Sequence, residues 1–306
     1  MQEYNFLITE ELEGMRLDKA VTELLDGAVS RNTLQKSIKE KQVLVNDKVV
    51  KSSYCLKYQD LVHIHLEDKT EATVEAEEIP LSILYEDDDV AVIDKPKGMV
   101  VHPGAGHFSG TLVNALLFHY GENLSTINGP FRPGIVHRID KDTSGSLMIC
   151  KNNEAHYSLA KQLKEHSIIR KYRAICCGVL KEDSGTIEAP IGRDEKNRLK
   201  MGINRTNGKT AITHYRVLER FQEYSYIECQ LETGRTHQIR VHMASIGHPL
   251  YGDTVYSNRK WKVTTNGQCL HAFLLGFIQP HTGEYIETYS PIPTYFSELL
   301  GKLRQN

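Results

Sequence analysis

Four short clusters in this chain of 306 residues gather the side chains able to move protons, attack electron-poor carbon or hold an anion. In "GIVHRIDKDTSGSLMICK", Asp140 precedes Asp142-Thr143-Ser144-Gly145, whose short polar side chains fold back on their own backbone and fix what precedes them at the end of a strand. A carboxylate so placed suits nucleophilic or general-base work, and Thr143 and Ser144 stand where they would donate hydrogen bonds that keep it ionised. The spacing equally describes a charged corner between strands, with a surface Asp-Arg pair of little energetic weight. In "LETGRTHQIRVHMASIGHPLYGD", Gly234 breaks a strand and Thr236 caps a helix on which His237, Arg240, Val241 and Ala244 share a face. Its arginines suit a buried carboxylate or a phosphate in fork geometry, or simply a basic face in solvent. In "RKYRAICCG", alternation sends Tyr172 to one side of a strand and Lys171 and Arg173 to the other, as a stacking platform for a base or as a core tyrosine. In "DKPKGMVVHPGAGH", Lys95 and Lys97 could meet phosphate, although the glycines fit neither G-x-G-x-x-G nor a P-loop.

Several chemistries are disfavoured. A serine hydrolase built on Ser144 would want Gly, not Asp142, in its nucleophile elbow. His237 and His242 are five apart and off a common helical face, and the six cysteines contain no Cys-x-x-Cys pair, so no metal site is expected and the thiols read as reduced and mostly buried. No apolar run approaches a membrane span, and "MQEYNFLITEELEG" lacks the marks of a signal peptide, so no membrane and a cytoplasmic location are expected. The net charge of -2 hides a segregation: ten acidic residues and one lysine between Glu67 and Asp89 carry -9, which leaves +7 on the rest. That asymmetry fits a basic binding surface beside a solvated acidic connector, and equally a connector that only stays soluble.

The elements that must position these clusters follow from periodicity. Leu17, Ala20, Val21, Leu24 and Leu25 recur at helical spacing, and Ser30 caps a second helix on which Asn32, Lys36 and Lys39 share a face that could meet phosphate. "QVLVNDKVV" reads as two strands about an Asn46-Asp47 turn, and "DLVHIHL" as a third, closing a unit over residues 14–66. An acidic linker over 67–79 follows, then a larger unit over 80–306. There, strands at "LSILYEDDDVAVIDKP", "SLMICK", "KYRAICCGVL", "THYRVLER", "SYIECQLETG", "CLHAFLLGFIQP" and "EYIETYSP" outnumber helices at "TLVNALLFHY", "NNEAHYSLAKQLKEH" and "YFSELLGKL". The fold class is therefore α+β, a mixed, largely antiparallel sheet with flanking helices.

The first unit, through "RLDKAVTELL", "SRNTLQKSIKEKQVLVNDKVV" and "DLVHI", resembles the S4 RNA-binding domain, which implies a small αα-β domain gripping structured RNA through its backbone. The four clusters, in this order behind it, resemble the RluA family of pseudouridine synthases and its RluD-like branch, over about Arg16 to Pro293. Position 139 is Ile where Leu is more usual. The resemblance implies an isomerase that turns uridine into pseudouridine in structured RNA by base flipping, without a cofactor. It makes Asp140 the catalytic aspartate, Tyr172 the tyrosine packed on the target uracil and Arg235 the basic partner of the aspartate. Arg138 would fill the gap left by the flipped nucleotide, with Arg240, His237, Lys36, Lys39, Lys95 and Lys97 as further RNA contacts. Large-subunit (23S) ribosomal RNA or a pre-ribosomal particle is the expected partner, with tRNA the other candidate and a monomer the default state. A non-catalytic RNA-binding or ribosome assembly factor is the rival reading.

Overall fold

In the computed structural model, which describes residues 2–25, 34, 37–66, 74–104, 107–194, 197 and 200–305, strands dominate both units into which the chain divides, 1–73 and 74–306. In the first, helix α1 (Leu17–Leu24) turns Leu17, Ala20 and Val21 inward, as their spacing predicts, against Val43, Val45, Val62 and Ile64. Those residues belong to an antiparallel sheet of β1 (Gln2–Leu7), β2 (Val43–Val45), β3 (Lys48–Val49) and β4 (Leu61–Leu66), ordered β1-β4-β2-β3. Asn46 and Asp47 both take left-handed φ, 50° and 58°, which these two residue types tolerate and a two-residue hairpin turn requires. Strand β1 went unread in the sequence; it pairs Tyr4 with Ile64 and Phe6 with Val62. The helix expected after Ser30, with Asn32 and Lys36, lies mostly outside the described residues; residues 37–39 are helical and Lys39 is exposed.

The second unit is built on β5 (Ile83–Glu86), β6 (Val90–Lys95), β7 (Ser144–Cys150), β8 (Ile169–Cys177) and β9 (Ser184–Glu188), then a small β10 (Ile191–Arg193)/β11 (Met201–Ile203) hairpin, then β12 (Ile212–Arg220), β13 (Tyr224–Leu231), β14 (Leu270–Ile278) and β15 (Tyr285–Tyr289). Its helices are α2 (Leu112–Tyr120), α3 (Asn153–Lys164), α4 (Gln238–Ser245) and α5 (Thr294–Arg304). Nine strands form one sheet, β5-β6-β7-β14-β8-β13-β12-β9, with β15 also on β14. Every pair is antiparallel except β7 with β14. Both faces of the central strands are covered, which is why they read as near-continuous apolar runs. Ala91, Ile93, Leu147 and Ile149 pack toward Leu112 and Leu116 of α2 and Ile239 and Met243 of α4. Val90, Val92, Met148 and Cys150 pack toward Ala155 and Leu159 of α3. None of the described helices is long and apolar enough to cross a membrane. All six cysteines are free thiols; Cys55 alone is exposed.

The acidic stretch ahead of this sheet is in part docked. Glu77 Oε1 accepts from Gly110 N (3.0 Å), and the Glu75 carbonyl accepts from Asn114 Nδ2 (2.8 Å), so Val74–Ile79 runs along the start of α2. One glycine decides where the Asp140 turn sits. Gly145 has φ 109°, and a Cβ on it would lie 2.3 Å from the Ala272 carbonyl oxygen, so only glycine lets β7 begin this close to β14.

Candidate active site

The turn between Ile139 and Ser144 is tied down on every side. Thr143 N–H donates to the Asp140 carbonyl (3.1 Å), Gly98 N–H to the Lys141 carbonyl (2.9 Å), and Gln268 Nε2 to Thr143 Oγ1 (3.1 Å). His137 Nε2 accepts from Met148 N (3.0 Å) on β7, and burial pushes its imidazole down to about 3, with the Arg170 charge adding to the fall. His137 is therefore a neutral structural acceptor. The hydroxyls expected to support Asp140 are engaged elsewhere: Thr143 with Gln268, and Ser144 with His271 Nδ1 (2.9 Å).

What reaches the Asp140 carboxylate is α4. Arg240 Nη1 donates to Asp140 Oδ2 (3.0 Å), while its Nε and Nη2 fork onto Asp253 Oδ2 and Oδ1 (2.7 and 3.0 Å). The three side chains are 6%, 16% and 0% exposed for Arg240, Asp140 and Asp253, so this is a largely buried network of one cation and two carboxylates. Burial works against the guanidinium, but the Asp253 hydrogen bonds and both carboxylates outweigh it and raise Arg240 above the ordinary arginine value. His237 stands just before α4 with left-handed φ 57°, its Nε2 3.8 Å from Asp140 Oδ1 and its Nδ1 2.8 Å from the Tyr256 hydroxyl. Burial lowers His237, with Asp140 opposing. A Tyr256 proton donated to Nδ1 places the ring's own N–H on Nε2, the Asp140 side.

The assignment of Arg235 as the partner of Asp140 is corrected. Its Nε donates to the Thr210 carbonyl (2.9 Å) and its backbone N–H to Gln238 Oε1 (2.9 Å). The helix begins at Gln238, one residue later than a Thr236 cap would give, with Arg235 outside it and Arg240 in its first turn. Lys95 and Lys97 are corrected likewise. Lys95 is fully buried and donates to the carbonyls of Pro96 (2.7 Å), Met99 (2.9 Å) and Lys141 (3.0 Å); burial pushes it down to about 7, opposed by Asp142, Asp140 and Asp94. Lys97 donates to the carbonyls of Gly267 (3.1 Å) and Gln268 (2.9 Å) and lies over the Tyr295 ring. Neither ammonium is presented to a phosphate; both bind loops to the sheet.

Above Asp140 opens a cavity of about 520 Å³ whose walls include Tyr172, Arg138, Arg170 and His237. Tyr172 is 7% exposed, and burial raises its phenol, with Arg170 opposing and Asp140 adding. Arg138 is exposed at the wall. Of the residues singled out in the sequence, Asp140, Tyr172, Arg138, His237 and Arg240 line this cavity together, and Arg235 lines it too without a hydrogen bond to Asp140. The sequence reading missed Asp253, present in "GHPLYGD" without a visible partner, and Arg170, which shares the parity of Tyr172 on β8. The arrangement offers a fixed carboxylate, a cation that holds it, and an aromatic surface beside it in one cavity.

Comparison with known proteins agrees with this geometry. Residues 89–245 match the family described as RNA pseudouridylate synthase, and residues 15–62 match the S4 domain. An uncharacterized RNA pseudouridine synthase of Bacillus subtilis is 50% identical over 306 residues, covering 100% of both chains. The ribosomal large subunit pseudouridine synthase D of Zymomonas mobilis is 45% identical, over 94% of this chain and 93% of its own. Among solved structures, the human RNA pseudouridylate synthase domain containing 1 protein superposes with a TM-score of 0.56 at 26% identity, covering 76% of this chain and 97% of its own.

Proposed function

Because the chain belongs to the RNA pseudouridylate synthase family, we propose that it isomerises uridines of large-subunit ribosomal RNA, with Asp140 as the catalytic carboxylate. The observation that carries the site assignment is the Asp140 carboxylate, hydrogen-bonded to Arg240 in the wall of a cavity that also holds the Tyr172 ring. The reaction detaches uracil from C1′, turns it and rejoins it through C5, with no net redox change and no group lost, so the side chains of the site suffice. An ionised carboxylate serves it by adding to electron-poor carbon or by taking a ribose proton. Arg240 keeps that carboxylate oriented, and the face of Tyr172 keeps the loose ring from tumbling. The target nucleotide leaves its stack to reach this depth, and Arg138 at the wall takes up part of the space it vacates. The first unit, with Lys39 on its surface, supplies salt-dependent grip outside the cavity. We take the protein to act as a monomer in the cytoplasm, where ribosomes are assembled.

The reading of large-subunit rRNA over tRNA rests on the name and near-complete coverage of relatives such as that of Zymomonas mobilis. The test is tritium release from RNA carrying 5-tritiated uridine. Large-subunit rRNA is expected to lose tritium with the wild-type protein, and Asp140→Asn is expected to slow release at least about a thousandfold while RNA affinity stays within about threefold. Rapid release by Asp140→Asn would remove Asp140 from the chemistry. No release by the wild-type protein from any RNA would favour the assembly-factor reading.

A further inference from the structure

Arg170 carries a charge that neither the fold nor the proposed role of Asp140 uses. It lies two positions before Tyr172 on β8, so both side chains leave the same face of the strand, and both line the cavity. The residue is 7% exposed, yet among the described residues no carboxylate stands within ion-pair distance of it. Of the five N–H groups of a guanidinium, one meets an acceptor: Nη2 donates to the Glu232 carbonyl (3.0 Å). Its Nε is buried without a partner. Burial lowers its pKa, the Tyr172 phenol opposing and the Arg235 charge adding, so the site holds this cation at a cost. The backbone clears space for it: a Cβ on Gly234 would stand 2.6 Å from Arg170 Nη1. Arg240, by contrast, already directs three of its five N–H groups to two carboxylates.

The isomerisation creates an anion that exists only between its two bond changes. When the C1′–N1 bond breaks, the electron pair leaves with the ring, and the negative charge spreads over N1, O2 and O4. C5 then bonds to C1′, which discharges the ring, and loss of the C5 proton with uptake of one at N1 restores its conjugation. A preorganised donor that is unpaired at rest stabilises such a charge without paying to break an existing contact. We infer that Arg170 is a second catalytic residue, whose guanidinium receives the negative charge of the detached pyrimidine ring; this rests on the isomerase reading above.

The test is the single-turnover rate of Arg170→Gln at saturating RNA, with thermal melting as a check on folding. The rate is expected to fall about 100-fold, while the RNA Kd stays within about threefold. A guanidinium that instead held an RNA phosphate would leave the saturated rate intact, weaken binding and flatten its salt dependence. That result overturns the inference, as does an unchanged rate. Should Arg170→Gln fail to fold, the wild-type protein decides: 5-nitrouracil, an anion at neutral pH, is expected to inhibit tritium release about tenfold more strongly than neutral uracil. Equal inhibition overturns the inference. Active wild type with an unimpaired Arg170→Gln defeats the role of Arg170 alone, whereas a wild-type protein inert toward every RNA defeats the isomerase reading on which it rests.

Discussion

Replacing Arg240 with methionine should separate what its network does for stability from what it does for Asp140. The guanidinium makes three charge-assisted hydrogen bonds, two to Asp253 and one to Asp140. Arg240→Met leaves Asp253, whose side chain is wholly buried, as an uncompensated charge, and breaking a buried pair from one side costs about 3–5 kcal/mol. For a unit of this size, each kcal/mol moves Tm by roughly 2–4 °C, so melting should fall by about 6–20 °C. Asp253 Oδ1 also accepts from Val255 N (2.9 Å) and Tyr256 N (3.1 Å), and an asparagine oxygen keeps both bonds without the charge. The double variant Arg240→Met/Asp253→Asn should therefore regain more than half of the lost stability. It should not regain turnover, because Asp140 still lacks its donor; the rate of tritium release should remain about 100-fold down. Arg235→Gln, measured beside it, should hold turnover within about threefold, since among the described residues its guanidinium donates to the Thr210 carbonyl and not to Asp140. The reasoning fails if the double variant recovers activity together with stability, or if Arg235→Gln is as slow as Arg240→Met.

Two further outcomes follow from groups that hold the Asp140 turn. Lys95→Met strips the ammonium from the Pro96 and Met99 carbonyls, while the Lys141 carbonyl keeps the Gly98 N–H. Urea unfolding should show a loss of about 2–4 kcal/mol with RNA affinity at saturating stability unchanged, and a weaker salt dependence of RNA binding would restore Lys95 as a phosphate contact. His137 has its folded pKa pushed down to about 3, so between its ordinary value and pH 3 the unfolded chain binds more protons and stability falls as pH falls. The slope is up to about 1.4 kcal/mol per pH unit, and it should flatten in His137→Gln, which keeps an acceptor for Met148 N but cannot titrate. Identical acid limbs for the two proteins would mean that His137 is not held neutral.

Much of the architecture was legible because period-2 and period-3.6 patterns report burial directly, and the same rule explains the misreadings when applied one residue further. Ala91, Ile93 and Lys95 share parity on β6, and all are fully buried; the lysine read as a phosphate contact was the last inward residue of the strand. Arg170, Tyr172 and Ala174 share parity on β8 in the same way. Contrasting Tyr172 only with Lys171 and Arg173 hid the one charged residue that travels with it. The exchange of Arg235 for Arg240 has another origin. His237 and Arg240 were expected on one helical face, but His237 precedes α4 with a left-handed φ that no pattern in "GRTHQIR" shows, and the partner of Asp140 was assigned through the resemblance. Asp253 was illegible for a related reason: its partner is thirteen residues away, and its charge makes sense only once Arg240 is seen to bridge it to Asp140. A buried carboxylate thus positions an arginine, which positions a second carboxylate at the cavity. In such a chain the outermost residue can be read from its motif, but its support is set by contacts that sequence spacing does not encode.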